Sequence, residues 1–182
     1  VGIGTATPTR GPLHVHENST GDCAIHLTNS ETGATASDGF TLFTGGDAGP
    51  DAGCVNRESG GAIEIYTHNG SAVGERVRIA ATGEVGIGNN NPDSYEGNGN
   101  QLVVGDTSNH NGITILTGSD KDGRLGFADG TGAASYRGHI EYQHGTGINE
   151  FMKIGVAGAE RLRISSGGGF KFSNGLFDEK CN

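Results

Sequence analysis

Apolar and polar residues alternate with a period of two along most of the chain, a pattern typical of β-strands that bury one face of a sheet. The alternating segments are short and are separated by clusters of Asn, Asp, Gly, Ser and Thr, which suit tight turns. No segment of ten or more residues has the stripe of an amphipathic helix. The sequence therefore predicts an all-β fold, with its clearest strands at Leu13–His16, Ala62–Tyr66, Arg76–Ile79, Gly112–Leu116, His139–Tyr142 and Phe170–Phe172.

Several motifs occur twice, at a spacing of about 85 residues. The matched pairs are Val1–Gly4 with Val85–Gly88, Leu13–Val15 with Leu102–Val104, Ala24–Thr28 with Gly112–Thr117, and Glu75–Ile79 with Glu160–Ile164. This register predicts two tandem β-rich repeats, residues 1–84 and 85–169, followed by a C-terminal strand or tail at 170–182. Because Val1 opens inside a repeated motif, we expect the chain to be a processed or partial piece of a larger protein.

Composition narrows the classes of protein that fit. The 182 residues include 35 Gly and 4 Pro, and 12 basic against 21 acidic side chains give a formal net charge of −9. This charge excludes a basic nucleic-acid-binding protein, and the glycines lack the strict period of collagen. The sequence also has no apolar segment long enough to insert into a membrane.

The supply of core residues is small for a chain of this length. Leu, Ile, Val and Phe make up about a fifth of the sequence, near the lower limit for burying a core. Short strands would each bury little area, and the edges of their sheets would stay open. A core shared among several chains solves both problems. The physical argument therefore favours an intertwined homotrimer, with a β-sandwich monomer as the alternative.

The segment Glu75–Pro92 carries a recognisable order of motifs, ERVRI followed by VGIG and then proline. It resembles the "ERMRI, xxxG, xVGIGTxxP, xxxLxV" repeats of bacteriophage tail-fibre and related virion fibre proteins, and residues 1–15 and 160–169 resemble the same pattern. The resemblance implies a β-rich, usually homotrimeric fibre shaft or receptor-binding part. In that family such segments are often followed by a cleavable chaperone domain of the endosialidase type.

The resemblance implies a structural virion protein, a tail fibre that mediates attachment to the host surface and is not an enzyme. Its expected partners are two further copies of itself, other virion proteins and a host-surface glycan or protein. It would assemble in the cytoplasm of the bacterial host and reside in the virion, and it would need no cofactor. We expect recognition at exposed loops such as Asp47–Arg57 and Thr107–Asn111. The alternatives are a tailspike-like polysaccharide depolymerase fragment and a head fibre or capsid decoration protein.

One pair of residues is a candidate metal site. Alternation along a strand places the imidazoles of His14 and His16 on one face, and three chains around an axis would present six nitrogens to one transition metal ion. The second repeat has Val103 and Gly105 at the matching positions. A solvated or intersubunit histidine pair is the alternative. Three widely spaced cysteines fit no metal-finger pattern and are expected to be free thiols: Cys23, Cys54 and Cys181.

The candidates for catalysis are two glutamates. Glycosidases use paired carboxylates, and Glu64 and Glu141 lie on alternating strands at what the sequence suggests are corresponding places in the two repeats. Outward-facing glutamates are ordinary on such strands, and the chain has no tryptophan for binding sugars. The Gly-x-Gly motifs precede turns rather than helices, which excludes the usual dinucleotide site. We therefore assign no catalytic residue from the sequence.

Overall fold

The computed structural model describes residues 2–3, 13–17, 21–45, 51–145 and 150–173. It confirms the all-β fold, and the only helices among these residues are two short 3₁₀ turns, Pro92–Ser94 and Gly132–Tyr136. No described helix is long and apolar enough to cross a membrane. The strands are β1 (Gly2–Ile3), β2 (His14–Val15), β3 (Cys23–Leu27), β4 (Phe40–Thr44), β5 (Ala52–Asn56), β6 (Ile63–His68), β7 (Val73–Ile79), β8 (Val85–Ile87), β9 (Leu102–Val104), β10 (Asp122–Phe127), β11 (Gly138–Gln143), β12 (Phe151–Val156), β13 (Ala159–Ser165) and β14 (Phe170–Phe172).

The chain divides into two compact units, Val1–Gly112 and Ile113–Asn182. The first unit holds a parallel pair β1–β2, a three-stranded antiparallel sheet in the order β3-β4-β5, and a four-stranded sheet in the order β6-β7-β8-β9. Within the four-stranded sheet, only the β8–β9 pair is parallel. The second unit holds one five-stranded antiparallel sheet, β10-β11-β12-β13-β14, in which neighbours in sequence are neighbours in space.

The turns explain why these strands pair in this register. Between β6 and β7, the Asn69 side chain accepts hydrogen bonds of 2.9 Å from the backbone N–H groups of Ser71 and Ala72, and Gly70 has a φ of 95°. Between β12 and β13, the two turn residues Ala157 and Gly158 both have positive φ, at 55° and 76°. A two-residue turn of this kind matches the right-handed twist of a hairpin.

Two three-stranded groups, β6-β7-β8 and β12-β13-β14, share one pairing register. A bulge interrupts the first hairpin after Ile65 pairs with Val77, and the second after Ile154 pairs with Leu162. The loops that follow β7 and β13 are closed by equivalent hydrogen bonds. The backbone N–H of Ala80 donates to the carbonyl oxygen of Glu84, and that of Ser165 donates to the carbonyl oxygen of Gly169, each at 2.9 Å. The strand Val85–Ile87 therefore occupies the same place beside β7 as Phe170–Phe172 does beside β13.

Because of this register, the strand that opens the second sequence repeat, Val85–Ile87, belongs to the same sheet as the strands that end the first repeat. The predicted boundary between residues 84 and 85 falls between β7 and β8 of one sheet, whereas the compact units meet at residues 112 and 113. The reason is that the Val85–Ile87 strand pairs with the strand before it in sequence. A repeat unit defined by sequence motifs thus differs from a unit defined by paired strands.

One predicted strand is wrong. Residues 112–117 form no regular structure, and all of them except Thr117 lie exposed, although their alternation matches that of the paired strand β3. The other five strands predicted most clearly are present, with ends that differ by a few residues.

The described residues contain almost no apolar core. Apart from Pro92, the buried apolar side chains are Ala80 and Phe151, whereas 23 large apolar residues are exposed. Four polar residues are buried instead: Thr41, Asn100, His139 and Glu141. Large apolar residues are usually the ones that a folded protein buries, so this distribution is unusual.

Candidate interaction surface

The five-stranded sheet of the second unit has one face made of apolar residues. Cross-strand pairing aligns two rows across all five strands, since paired residues point to the same side of a sheet. The first row is Leu125, Ile140, Ile154, Leu162 and Phe172, and the second is Gly123, Tyr142, Met152, Ile164 and Phe170. Most of these side chains are exposed, from 37% at Ile154 to 65% at Phe170. We call this surface, together with Phe127 and Val156 on either side of Gly138, the apolar face of the second unit.

The opposite face of the same sheet is charged, and it is the better buried of the two. Its central row is Arg124, Glu141, Lys153, Arg163 and Lys171, one residue from each strand. The second 3₁₀ turn lies over part of this row, because the Arg124 guanidinium sits 4.3 Å from the centre of the Tyr136 ring. Arg163 stacks on Phe151 at 3.7 Å. The described residues therefore bury the middle of the charged face, at Glu141, and leave most of the apolar side chains exposed.

Glu141 is the centre of this charged row. Its side chain is fully buried and forms ion pairs with both Arg124 and Lys153. Arg124 Nε donates to Glu141 Oε2 at 2.7 Å, and Arg124 Nη2 contacts the same oxygen. Burial alone would raise the pKa of Glu141, but Lys153 and Arg124 outweigh it and hold the pKa below its ordinary value. The carboxylate is thus ionised and fully engaged at neutral pH.

His139 is a second buried polar residue on this charged face. The residue is 3% exposed, its ring lies 4.7 Å from the Tyr136 ring, and neither ring nitrogen has a hydrogen-bond partner among the described residues. Across the strand pair lies Gly155, where an added Cβ would be 1.9 Å from His139 Cε1. The glycine therefore provides the space that the imidazole occupies.

The substitution Gly155→Ala is expected to lower the free energy of unfolding by about 1–3 kcal/mol, because the new methyl group overlaps the His139 ring. Gly126→Ala is the matched control, since Gly126 pairs with His139 from the other side and an added Cβ there meets nothing within 4 Å. Denaturant unfolding at one protomer concentration measures both. Equal effects of the two variants would contradict this packing.

The four-stranded sheet of the first unit has the same arrangement. Its apolar face consists of two rows of four residues, Ile63, Ile79, Val85 and Leu102, and Ile65, Val77, Ile87 and Val104. None of the eight is buried, and Ile65 is 55% exposed. On the other face, the chain after β8 folds over the sheet, so that an added Cβ on Gly86 would lie 2.1 Å from the carbonyl oxygen of Asn89.

The polar face of the four-stranded sheet carries the Glu–Arg motif found in the sequence. Arg78 forms a two-point hydrogen bond with Glu75, at 3.0 and 2.7 Å, and a salt bridge of 2.6 Å with Glu64 on the neighbouring strand. The Tyr66 hydroxyl also donates to Glu64. In the second unit, Arg163 holds Glu160 in the same way, at 2.9 and 2.5 Å. Glu64 and Arg78 thus form an ion pair across neighbouring strands.

The three-stranded sheet also exposes apolar side chains on one face, with Ile25, Leu27 and Leu42 between 41% and 56% exposed. A groove of about 300 Å³ at this sheet is lined by Leu13, Val15 and Ile25, among others. Each of the three larger sheets thus presents an apolar face that the described residues leave largely exposed. Contiguous exposed apolar area is typical of surfaces that contact another molecule.

The predicted metal pair remains a prediction. The His14 and His16 rings lie 5.9 Å apart between centroids, on and just after β2, with His14 half-buried and His16 exposed. Among the described residues, no group of three or more His, Cys, Asp or Glu side chains could hold a metal ion. Cys23 and Cys54 are free, as expected, and Cys181 lies outside the described residues.

The two candidate catalytic glutamates do not occupy equivalent positions. Glu64 pairs with Arg78, and in the shared register the equivalent residue of the second unit is Lys153, opposite Arg163. Glu141 lies on β11, the strand before the one that carries Lys153, and it is buried rather than outward-facing. Both carboxylates are engaged by cations. A general acid needs a raised pKa and access to substrate. The two cations hold the pKa of Glu141 below its ordinary value, and burial keeps its side chain from a substrate.

The two predicted recognition loops differ in structure over their described residues. Residues 52–56 of the first loop form strand β5, and residues 47–50 lie outside the described part. The second loop, Thr107–Asn111, is exposed and ordered by Asp106, whose carboxylate accepts hydrogen bonds from the backbone N–H groups of Ser108 and Asn109. These bonds lower the pKa of Asp106.

Comparison with known proteins identifies no relative of this chain. No protein-family model matches the chain, and a search of curated proteins finds no match. Arg124 and Lys153 pair with Glu141, and Tyr136 stacks against Arg124; the sequence analysis did not single out these three residues. The alternation of each strand was visible in the sequence, but it does not indicate which face the chain itself would cover.

Proposed function

We propose that the protein is a structural virion fibre protein of a bacteriophage, a tail fibre that acts as a homotrimer and mediates attachment to the host surface. The observation that carries the proposal is the uncovered apolar face on each of the three larger sheets. Copies gathered around a common axis would cover these faces with one another. The charged rows, whose side chains are paired with one another within each chain, would stay on the outside.

The size of the surface supports association between copies. On the apolar face of the second unit, eight side chains are exposed by 37% to 65%: Leu125, Phe127, Ile140, Met152, Ile154, Val156, Phe170 and Phe172. Together they expose on the order of 800 Å², which equals the area that each partner contributes to a stable protein–protein interface. The apolar face of the four-stranded sheet adds further area of the same kind.

The shared register of the two three-stranded groups supports the tandem-repeat organisation of a fibre. Both groups contain the Glu–Arg motif and the strand that follows it, which are the segments that resemble virion fibre repeats. Stacking such groups along an axis gives a shaft, and the exposed loop Thr107–Asn111 is a surface available for contact with the host.

Antibody labelling of virions tests the location. Gold-labelled antibody against the purified chain is expected to decorate the tail fibres of the phage that encodes it, and the purified protein is expected to compete with phage for adsorption to host cells. Label on the head would instead identify a head fibre or capsid decoration protein. Release of reducing sugar from host capsule, lost on Glu64→Gln or Glu141→Gln, would identify a polysaccharide depolymerase.

A further inference from the structure

Residues 113–117 have the sequence of a β-strand and lie unpaired. Ile113 is 71% exposed and Leu116 is 91% exposed. The backbone N–H groups of this segment donate no hydrogen bond to any described residue. The segment therefore offers the backbone hydrogen-bonding groups of a strand, which have no partner among the described residues, and apolar side chains that are largely exposed.

The matching segment in the first half of the sequence is a paired strand. Alignment of the repeated motifs places Ile25 and Leu27 opposite Ile113 and Ile115. Ile25 and Leu27 belong to β3, which pairs with β4 over its full length of five residues. Both side chains lie on the apolar face of their sheet, next to Leu42 and Phe40. A strand at 113–117 would accordingly present Ile113 and Ile115 to an apolar face.

A free sheet edge in the same unit could accept this strand. Strand β10 pairs only with β11 and forms one edge of the five-stranded sheet. Its residues Leu125 and Phe127 belong to the apolar face and are 52% and 56% exposed. The segment 113–117 of the same chain does not follow this edge. Its Ile115 and Thr117 instead lie over the face at Gly123, each with a methyl carbon 3.6 Å from where a Cβ on that glycine would be.

We propose that residues 113–117 of one copy add as a β-strand to β10 of a second copy. This inference rests on the proposed homotrimer and specifies its contact. Backbone hydrogen bonds would provide affinity, as in other cases of strand addition, and Ile113 and Ile115 would extend the apolar face beside Leu125. Every copy has one such segment and one β10 edge, so three additions around an axis close the assembly and pair every β10 edge.

Hydrogen exchange and a proline substitution test the pairing. In the intact protein, the amides of residues 113–117 are expected to exchange at least about tenfold more slowly than those of the exposed loop Thr107–Asn111. Thr114→Pro removes a backbone donor from the proposed ladder and is expected to raise the protomer concentration at half-dissociation at least about tenfold. Ser119→Pro is the control, because Ser119 is the second residue of a turn closed by the Lys121 N–H and the Gly118 carbonyl, where proline is favoured.

Crosslinking distinguishes pairing between copies from pairing within one. Two chains of different size, each with Cys23, Cys54 and Cys181 replaced by serine, are co-expressed, one with Thr114→Cys and the other with Asp122→Cys on β10. A flexible bis-maleimide is expected to join the two chains into one band. Replacing the second cysteine by Lys171→Cys, on the opposite edge strand β14, is expected to give no such band.

The outcomes separate this inference from the proposed function. A trimer in which residues 113–117 exchange freely, or in which Thr114→Pro behaves like Ser119→Pro, overturns the strand contact and leaves the trimer in place. Crosslinking to Lys171→Cys instead of Asp122→Cys overturns it as well. A monomeric mass overturns the strand contact and the proposed homotrimer together.

Discussion

Replacement of Glu141 by glutamine is expected to lower the free energy of unfolding by about 2–4 kcal/mol, because it leaves two cations around a neutral group in a buried position. The Glu141 side chain has no exposed surface, and its partner Lys153 is only 18% exposed. Water therefore cannot replace the lost carboxylate without opening the structure around the second 3₁₀ turn. Denaturant unfolding monitored by circular dichroism, at one protomer concentration, measures the change.

Glu64→Gln is the matched control for this experiment. It removes the same charge from a cross-strand ion pair with Arg78, but the Glu64 side chain is 29% exposed and Arg78 keeps Glu75 as a partner. Partly exposed ion pairs contribute little, so we expect a loss below about 1 kcal/mol. Equal losses from the two variants would contradict the burial assigned to Glu141.

The same ion pairs predict how stability depends on pH. The pKa of Glu141 is lowered in the folded protein by Lys153 and Arg124 against the opposing effect of burial, and that of Glu160 is lowered by its hydrogen bonds from Arg163. A carboxyl group with a lowered pKa in the folded state stabilises it above the unfolded pKa, here 4.5, and loses this contribution as pH falls. Stability should therefore decrease below pH 4.5, and less steeply in Glu141→Gln. An unchanged slope would contradict the contribution of Glu141.

The second large effect is expected from a charge on the apolar face of the second unit. Ile154 lies in the central strand of the five-stranded sheet, between Ile140 and Leu162. Ile154→Glu would bury a carboxylate without a partner in each contact between copies. We expect dissociation at a protomer concentration at least about a hundredfold higher than for the unchanged protein, measured by light scattering across a dilution series.

Ser119→Glu is the control for Ile154→Glu. It adds the same charge at an exposed turn residue of the same unit and is expected to leave the assembly unchanged. Ile154 is itself 37% exposed in the single chain, so the substitution disturbs packing between copies more than packing within one. A trimer that tolerates Ile154→Glu would show that this face is not the contact.

The fold class and most strands could be predicted from the sequence because the period-two pattern is local. Residues 139–142 and 170–172, for example, alternate within themselves and form strands as expected. Residues 112–117 alternate equally well and form none. Whether such a segment pairs depends on an available edge, which lies elsewhere in the chain or in another copy.

The environment of Glu141 could not be predicted for a related reason. Alternation shows that Glu141 and Ile140 point to opposite faces, and the usual assumption places the apolar residue inside. Here the second 3₁₀ turn brings Tyr136 over the charged face, so that Glu141 is buried and Ile140 is 40% exposed. The pairing of Glu141 with Arg124 and Lys153 depends on strand order, which the sequence pattern does not determine.

Native mass, measured by light scattering on the purified chain, tests the shared core most directly. We expect a mass near three times 18.6 kDa. The reason is that each of the three larger sheets has an exposed apolar face, which we propose is covered by another copy. A stable, folded monomer of 18.6 kDa would contradict the shared core and with it the proposed fibre.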